Sequence, residues 1–450
     1  MQPQTKAKPP PPEYVPDEAG SAQPRAGSAQ PRDLAKFLVR LGAALNAVGD
    51  PVYSIQERLQ RIATAYGVTD ARVSAFPTSM LVSLGDGKPA TLEPTMRLDG
   101  LARLDRIAAL DRLVDDVEQH TPAPTDGIQR LQEILDLAPR FGPLTSIGGY
   151  AVLTVGLALI LHPALRDVAA AAVFGAIVGV LRLVAGRTPT LRMLLPMIAA
   201  FSVSALTGLA VEQHLADPGL RAMIAALVVF LPGAALTTSV MELSAGDMIA
   251  GSSRLVWAGV QLALLVFGIL AGVGAVGVPL SRALSSAEPL LGGWAPWVGV
   301  FIYAIGTYVA HSAPRRSLGG LLVVLYAAWI GQVMGDQVFG GYGGGFIGAL
   351  VMTPVAALVA RFSWGMPARA SFLPGFWLLV PGAMSLSGLT TIAGGTNAAA
   401  GRDLLTAIGS IFAVALGVLC GTQLEQWLAA GARRLDRLKP RPSPAANAPP

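Results

Sequence analysis

The sequence predicts an all-α polytopic membrane protein of two inverted five-helix repeats, with an N-terminal cytoplasmic α+β domain. Three observations predict it. Of 450 residues, 52% are apolar and 14% charged, where a soluble protein carries about 25% charged residues. Apolar runs near the ~20 residues that cross a ~30 Å hydrocarbon core recur from Thr145 to Trp427. The triplet Pro232-Gly233-Ala234 returns 149 residues later as Pro381-Gly382-Ala383.

Residues 1–32 carry a tandem "AGSAQPR" ending at Arg25 and Arg32. Pro, Gly, Ala, Ser and Gln bury too little area to offset ordering entropy, so this tail is expected to be disordered. It has no apolar signal-peptide core, so residues 33–140 are expected to stay in the cytoplasm. They begin with helical periodicity split by Gly49-Asp50-Pro51. "ARVSAFPTSMLVSLGDG" and "ATLEPTMRL" read as short strands joined by a Gly-Asp-Gly turn. "LARLDRIAALDRLVDDVEQH" is an amphipathic helix and "DGIQRLQEILDLAP" a shorter one, with Pro139 and Pro143 bracketing the membrane entry.

Ten spans follow. The first repeat (141–282) holds 145–161, 167–186, 191–213, 221–242 and 255–279. The second (290–430) holds 295–311, 318–335, 341–361, 372–393 and 404–427, before a basic, Pro-rich tail over 431–450. With the N-terminus inside, the inner loops hold Arg182, Arg187, Arg192, Arg254, Arg315, Arg316, Arg361 and Arg369. The outer loops hold Arg166, Arg221, Arg282 and Arg402. The excess of inner arginines fits ten spans with both termini cytoplasmic. Arginine exceeds lysine 28 to 5, which with the Ala/Gly richness suggests a bacterial inner membrane.

At the 149-residue offset His162 falls on His311, Arg166 on Arg315, Gly246 on Gly395, and Gly268 and Gly272 on Gly417 and Gly421. Five spans per copy invert the second copy, the architecture of many secondary transporters. Proline removes a backbone N–H and clashes with the preceding turn, while glycine tolerates unwound backbone. In lipid such a break survives only where protein or a watery cavity satisfies the freed groups. Matched breaks at Pro232-Gly233 and Pro381-Gly382 therefore point to one central site.

Several chemistries find little support. The lone Cys420, read as a small buried residue, and four scattered histidines give no metal or cofactor site. No basic cluster interleaved with aromatics suggests nucleic acid. "GGYGGGFIGA" (340–349) lacks the Lys-Ser/Thr of a phosphate loop and suits close helix packing. Asp336 with Gln332 reads as a solvated loop end, and His162 and His311 as interfacial caps. Trp294, Trp297, Trp364 and Trp427 suit an interfacial belt. Ser74, Ser79, Ser83, Asp86 and His120 allow a hydrolase or sensor reading, but no nucleophile elbow or triad spacing is present.

The stretch "LPGAALTTSVMELSAGDMIAGSSRL" resembles the signature of the threonine/serine exporter family: Pro232, Gly233, an acid about ten positions on, then Gly246, Gly251 and Arg254. That family usually has aspartate where this chain has Glu242. "LPGFWLLVPGAMSLSG" resembles its C-terminal module, and the likeness runs over about 35–430. The resemblance implies export of threonine and serine driven by the proton motive force. A related bacterial pair associated with succinate makes a small-dicarboxylate exporter the alternative. Glu242 is expected to carry the coupling proton or bind the substrate amine, with Arg254 as its partner. Thr237, Thr238, Ser385 and Ser387, which follow the two breaks, are expected to offer hydroxyls to a polar amino acid. The expected partners are the amino acid, protons and membrane lipid; homo-oligomerisation is left open.

Overall fold

The structure, a computed structural model, describes residues 31–85, 91–94, 103–161, 165–213, 220–279, 291–340, 343–379 and 397–438. The second Pro-Gly break, with Pro381, Gly382, Ser385 and Ser387, lies outside the described residues, as do His162 and Asp86.

The N-terminal part runs α1 (Pro31–Ala47), α2 (Val52–Ala65), β1 (Ala71–Phe76), β2 (Ser79–Leu84), β3 (Thr91–Pro94), α3 (Leu104–His120) and α4 (Pro124–Leu135). The strands form an antiparallel sheet in the order β1-β2-β3, with Phe76 opposite Ser79 and Val82 opposite both Val73 and Thr91. The stretch 71–84, expected as one strand, is thus a hairpin. Pro77 has no N–H to give a ladder, so the chain turns there. Phe37, Leu38, Leu41, Ile55, Leu59, Ile62, Met80, Leu113 and Val114 close a hydrophobic cluster between helices and sheet.

A tight corner joins α1 to α2. Gly49 has φ +93°, its N–H donates to Asn46 O and the Asp50 N–H donates to Leu45 O. This paired closure of a helix C-terminus needs a left-handed residue, which glycine adopts without Cβ strain. Pro51 then starts α2 with no side-chain cap of its own.

The apolar part contains α5 (Pro143–Ile160), α6 (Leu165–Ala185), α7 (Pro189–Glu212), α8 (Leu220–Leu227), α9 (Gly233–Ser244) and α10 (Met248–Val276). After them come α11 (Ala295–Ala310), α12 (Leu318–Phe339), α13 (Gly343–Val359), α14 (Ala368–Leu379) and α15 (Asn397–Leu438). Among the described residues six helices are long and apolar enough to cross a membrane: α5, α6, α7, α10, α12 and the Ile408–Ala430 part of α15. A seventh span forms if α8 and α9 count as one, bent by 57° at their break. The chain is a multi-pass membrane protein. Helices α11 and α13, of 16 and 17 residues, are shorter than the expected spans. Exposed Val256, Trp257, Val260 and Phe267 stripe α10, a face that lipid solvates and water does not. The four tryptophans of the expected belt are all exposed.

Helix pairs meet through glycine. Helices α5 and α11 run antiparallel: Gly149 lies against Ala310, Gly156 against Tyr303 and Gly299 against Ile160. A Cβ on Gly268 of α10 would sit 2.5 Å from Met197 O and 2.8 Å from Ala200 Cβ of α7. A Cβ on Gly417 of α15 would sit 2.3 Å from Phe346 O and 2.8 Å from Ala349 Cβ of α13. The stretch at 343–348 packs closely as expected, with Gly343 on Gly335 and Gly348 on the Ala328 carbonyl.

Three expectations are corrected. Cys420 is exposed, because it lies on the outer face of α15. His311, expected at the interface, is buried: it follows the last residue of α11 and packs between Tyr150 and Trp377, with Nε2 3.2 Å from the Tyr150 hydroxyl. Arg254, expected in a loop, lies inside α10, because that helix starts seven residues before the expected span.

Candidate functional site

The break comes first. Helix α8 tightens into a 3-10 turn over Val228–Phe230, Leu231 is extended, and Pro232 (φ −80°, ψ 36°) leads into α9 at Gly233. The first N–H groups of α9 therefore have no preceding turn to donate to. Along α9, Thr237, Thr238, Ser239 and Glu242 are all buried. The Ser239 hydroxyl donates back to Leu236 O at 2.7 Å, whereas the Thr237 hydroxyl has no partner among the described residues.

The acid and its partner meet through a tight helix–turn–helix. Helix α9 ends as α1 does: the Asp247 N–H donates to Glu242 O at 2.9 Å and the Gly246 N–H to Leu243 O at 3.1 Å, with Gly246 at φ +90°. Gly251 then lets α10 fold back, since a Cβ there would stand 2.8 Å from Ser239 O and 2.9 Å from Leu243 N. The result places Arg254 Nε 3.1 Å from Glu242 Oε1. The spacing of Glu242, Gly246, Gly251 and Arg254 is thus a device for holding one carboxylate against one guanidinium.

Glu242 has no solvent exposure. Its Oε1 also accepts the Val52 N–H at 3.0 Å, across 190 residues of sequence. A carboxylate at a helix N-terminus satisfies an orphan donor and faces the positive end of the dipole. Glu242 supplies the cap that Pro51 cannot. Its second oxygen, Oε2, is buried with no hydrogen-bond partner among the described residues. Arg254 reaches on: Nη2 donates to Asn46 Oδ1 at 2.8 Å and to Asp50 O at 3.0 Å. The Asn46 amide then donates to Phe76 O at 3.1 Å and Pro77 O at 2.9 Å, so one side chain ties the β1–β2 turn to the arginine.

A second clasp lies beside it. Arg369, at the start of α14, pairs with Asp50 and places Nε 3.3 Å from Asp111 Oδ1, the same oxygen that Arg58 approaches to 3.8 Å. Burial pushes the Asp50 carboxyl above its ordinary range, while Arg369, Arg58 and Arg254 pull it down. Around the rim, the Leu104 N–H donates to His311 O at 3.0 Å, and Arg140 bonds Tyr308 and the Ala313 carbonyl. The α9–α10 turn, the segment after α11 and the start of α14 therefore all meet the N-terminal part.

Of the residues singled out from sequence, the structure brings together Glu242 and Arg254, positioned by Gly246 and Gly251. Glu242 lies ten residues past Pro232, about 15 Å along a helix, so the acid sits at the N-terminal contact and the break at the other end of α9. Asn46, Asp50, Asp111 and Arg369 were not singled out. Asp50 was visible only as part of a helix break, and nothing local marks a partner 319 residues away. His120 is on the surface with Asp116, and no described hydrogen bond joins it to Ser74, Ser79 or Ser83. No group of three metal-ligating side chains occurs among the described residues.

Comparison with known proteins gives a family. Residues 36–275 match the family described as "Putative threonine/serine exporter" (ThrE). The chain is 24% identical over 402 residues to pheromone-regulated membrane protein 10 of Debaryomyces hansenii, covering 83% of this chain and 38% of that protein. It is 22% identical over 398 residues to the protein of the same name from Yarrowia lipolytica, covering 83% and 32%. The chain thus spans about a third of the length of these relatives. No solved structure matches it.

Proposed function

We infer that this chain, which belongs to the threonine/serine exporter family, exports small polar amino acids, threonine and serine foremost, with protons carried by Glu242. The observation that carries this reading is Glu242 itself. It is a fully buried acid with one oxygen unpartnered, on the second half of a helix pair bent by 57°, within the family match. Ionisable side chains inside apolar helices are rare and mark transport paths. The N-terminus of α9, beside the break, suits a substrate carboxylate. The Thr237 hydroxyl, buried without a partner, suits the substrate's own hydroxyl.

The inverted-repeat reading has independent support. Met197, Ala200 and Gly268 in one half stand at the 149-residue offset from Phe346, Ala349 and Gly417 in the other, and the contacts are the same. Helix α5 begins next to Arg140 at the N-terminal part, while its counterpart α11 ends there at His311. An odd number of spans per copy predicts that reversal. The three segments that meet the N-terminal part belong to the set expected inside. These contacts support one shared side for the three segments and the N-terminal part; we read it as the cytoplasmic side of a bacterial inner membrane, with both termini there.

The test is efflux from cells preloaded with a threonine-containing dipeptide, with and without the protein, then with a protonophore. Threonine efflux that rises with the protein and collapses with the protonophore is expected. Unchanged threonine efflux removes the substrate assignment, and succinate efflux in the same cells would assign the chain to dicarboxylates. Deleting residues 1–140 separates the remaining reading. A transporter core keeps some flux, whereas a membrane-anchored hydrolase or sensor keeps no activity.

A further inference from the structure

We propose that the N-terminal part is a releasable cover over Glu242, held by Arg254 and Arg369, and that transport requires the Gly49–Val52 corner to lift away. This rests on the reading of Glu242 as the transport acid and adds what regulates access to it.

The argument starts from what occupies the acid. Glu242 Oε1 is held by the Val52 N–H, a backbone group at the positive end of α2, and by Arg254. A substrate ammonium needs the charge of the same carboxylate, so the docked corner and Arg254 compete with it. Oε2, buried and unpartnered, is left facing no donor while the corner is in place.

The attachments of Asn46 and Asp50 are polar, whereas Val48 and Tyr53 on either side of the corner pack against the apolar cluster of the membrane helices, in which Leu104, Ile107 and Ala108 of α3 are buried. Arg254 holds the Asp50 carbonyl and Asn46, and Arg369 holds the Asp50 and Asp111 carboxylates. Ion pairs and hydrogen bonds can exchange for water on release, as a lid requires. The α1–α2 helices keep their own cluster behind the corner, so lifting it need not unfold them. Arg369 is therefore a positioning residue: it touches neither Glu242 nor the break, and it acts by holding Asp50.

The experiment reads access directly. Cys420 is exposed and is first replaced (Cys420→Ala). Thr237→Cys is then introduced into the full chain, purified in detergent, and its rate of reaction with a charged maleimide measured. Slow labelling is expected, with at least a tenfold acceleration in Arg369→Gln and retained protection in Arg369→Lys. Equal rates in all three overturn the proposal. Ser204→Cys, buried in α7 away from the corner, should stay protected in Arg369→Gln. If it opens too, the variant has unfolded and a second measurement decides. In that measurement, Asp50→Cys and Arg369→Cys are bridged by a reducible bis-thiosulfonate. Threonine efflux that stops on bridging and returns with reductant supports the cover; undiminished efflux while bridged overturns it. Labelling needs no substrate, so a wrong substrate assignment would leave the protection pattern intact and be recognised as a separate failure.

Discussion

Replacing Arg254 by glutamine tests the core of the site. Arg254 is 14% exposed at its side chain and Glu242 not at all. The substitution would leave the carboxylate with the Val52 N–H as its one partner and Oε2 still unpaired. Stranding one member of a buried pair costs about 3–5 kcal/mol. Glu242→Gln removes the charge but keeps an acceptor for Val52, and Arg254 keeps Asn46 and Asp50. Its cost should be that of a charge-assisted hydrogen bond, about 1.5–3 kcal/mol. Were the two independent, the double variant would lose the sum, roughly 4.5–8 kcal/mol on the same figures. With no buried charge left stranded, the double variant should lose about 2 kcal/mol less than that sum. The assay is a double-mutant cycle on reversible SDS unfolding in mixed micelles. A coupling below about 0.5 kcal/mol, the level at which distant sites add, would refute the claim that these residues form one unit.

Other expectations rest on single contacts. Glu242→Gln should insert and fold yet lose pH-dependent threonine flux; flux with its pH dependence unchanged would remove Glu242 from coupling. Gly272→Ala should cost about 1–3 kcal/mol by overpacking, and more than Gly421→Ala. The new methyl would fall 2.1 Å from Ser204 Oγ and 2.5 Å from Phe201 O in the first case, against 2.7 Å from Thr353 Cβ in the second; thermal stability in detergent ranks them. Asn46→Ala should cost about 1–3 kcal/mol through the unpaired Arg254 donor and the Phe76 and Pro77 carbonyls, read as earlier protease cleavage near residue 77. Tyr66 donates to the Pro122 carbonyl, and burial raises its pKa to about 12. The folded value lies above the unfolded one, so the stabilisation is complete below pH ~10 and lost as pH rises towards 12. Tyr66→Phe should therefore be less stable than the parent at pH 8, with the gap closing by pH 12; a constant gap in melting temperature would contradict this.

The membrane character, the helix order and the first break were legible because they are local. Apolar length marks a span, and Pro232-Gly233 marks the break where α8 gives way to α9. Glu242 and Arg254 were legible as a pair because both lie on one short helix–turn–helix, where Gly246 and Gly251 fix the geometry. What lies against them was not. The Val52 amide carries no side-chain signal, and Asp50 looked like an ordinary turn residue before proline. The hairpin was missed because only Pro77 and Thr78 part the two strands, with no glycine or asparagine to mark the turn. Cys420 was misread as buried because in lipid an apolar helix is apolar on all sides, so composition no longer separates inner from outer faces.

The clasp also sets an order for biosynthesis. Asp50 leaves the ribosome 319 residues before Arg369, roughly 16–64 s earlier at ~5–20 residues per second. Glu242 and Arg254 come between them. The α1–α2 corner can therefore form while the chain is still being inserted, with Asn46 Oδ1 and Asp50 still in water, and can close on Glu242 and Arg254 before the second half exists. Arg369 arrives last. Nascent chains stalled before it would carry the corner fastened at one point instead of two.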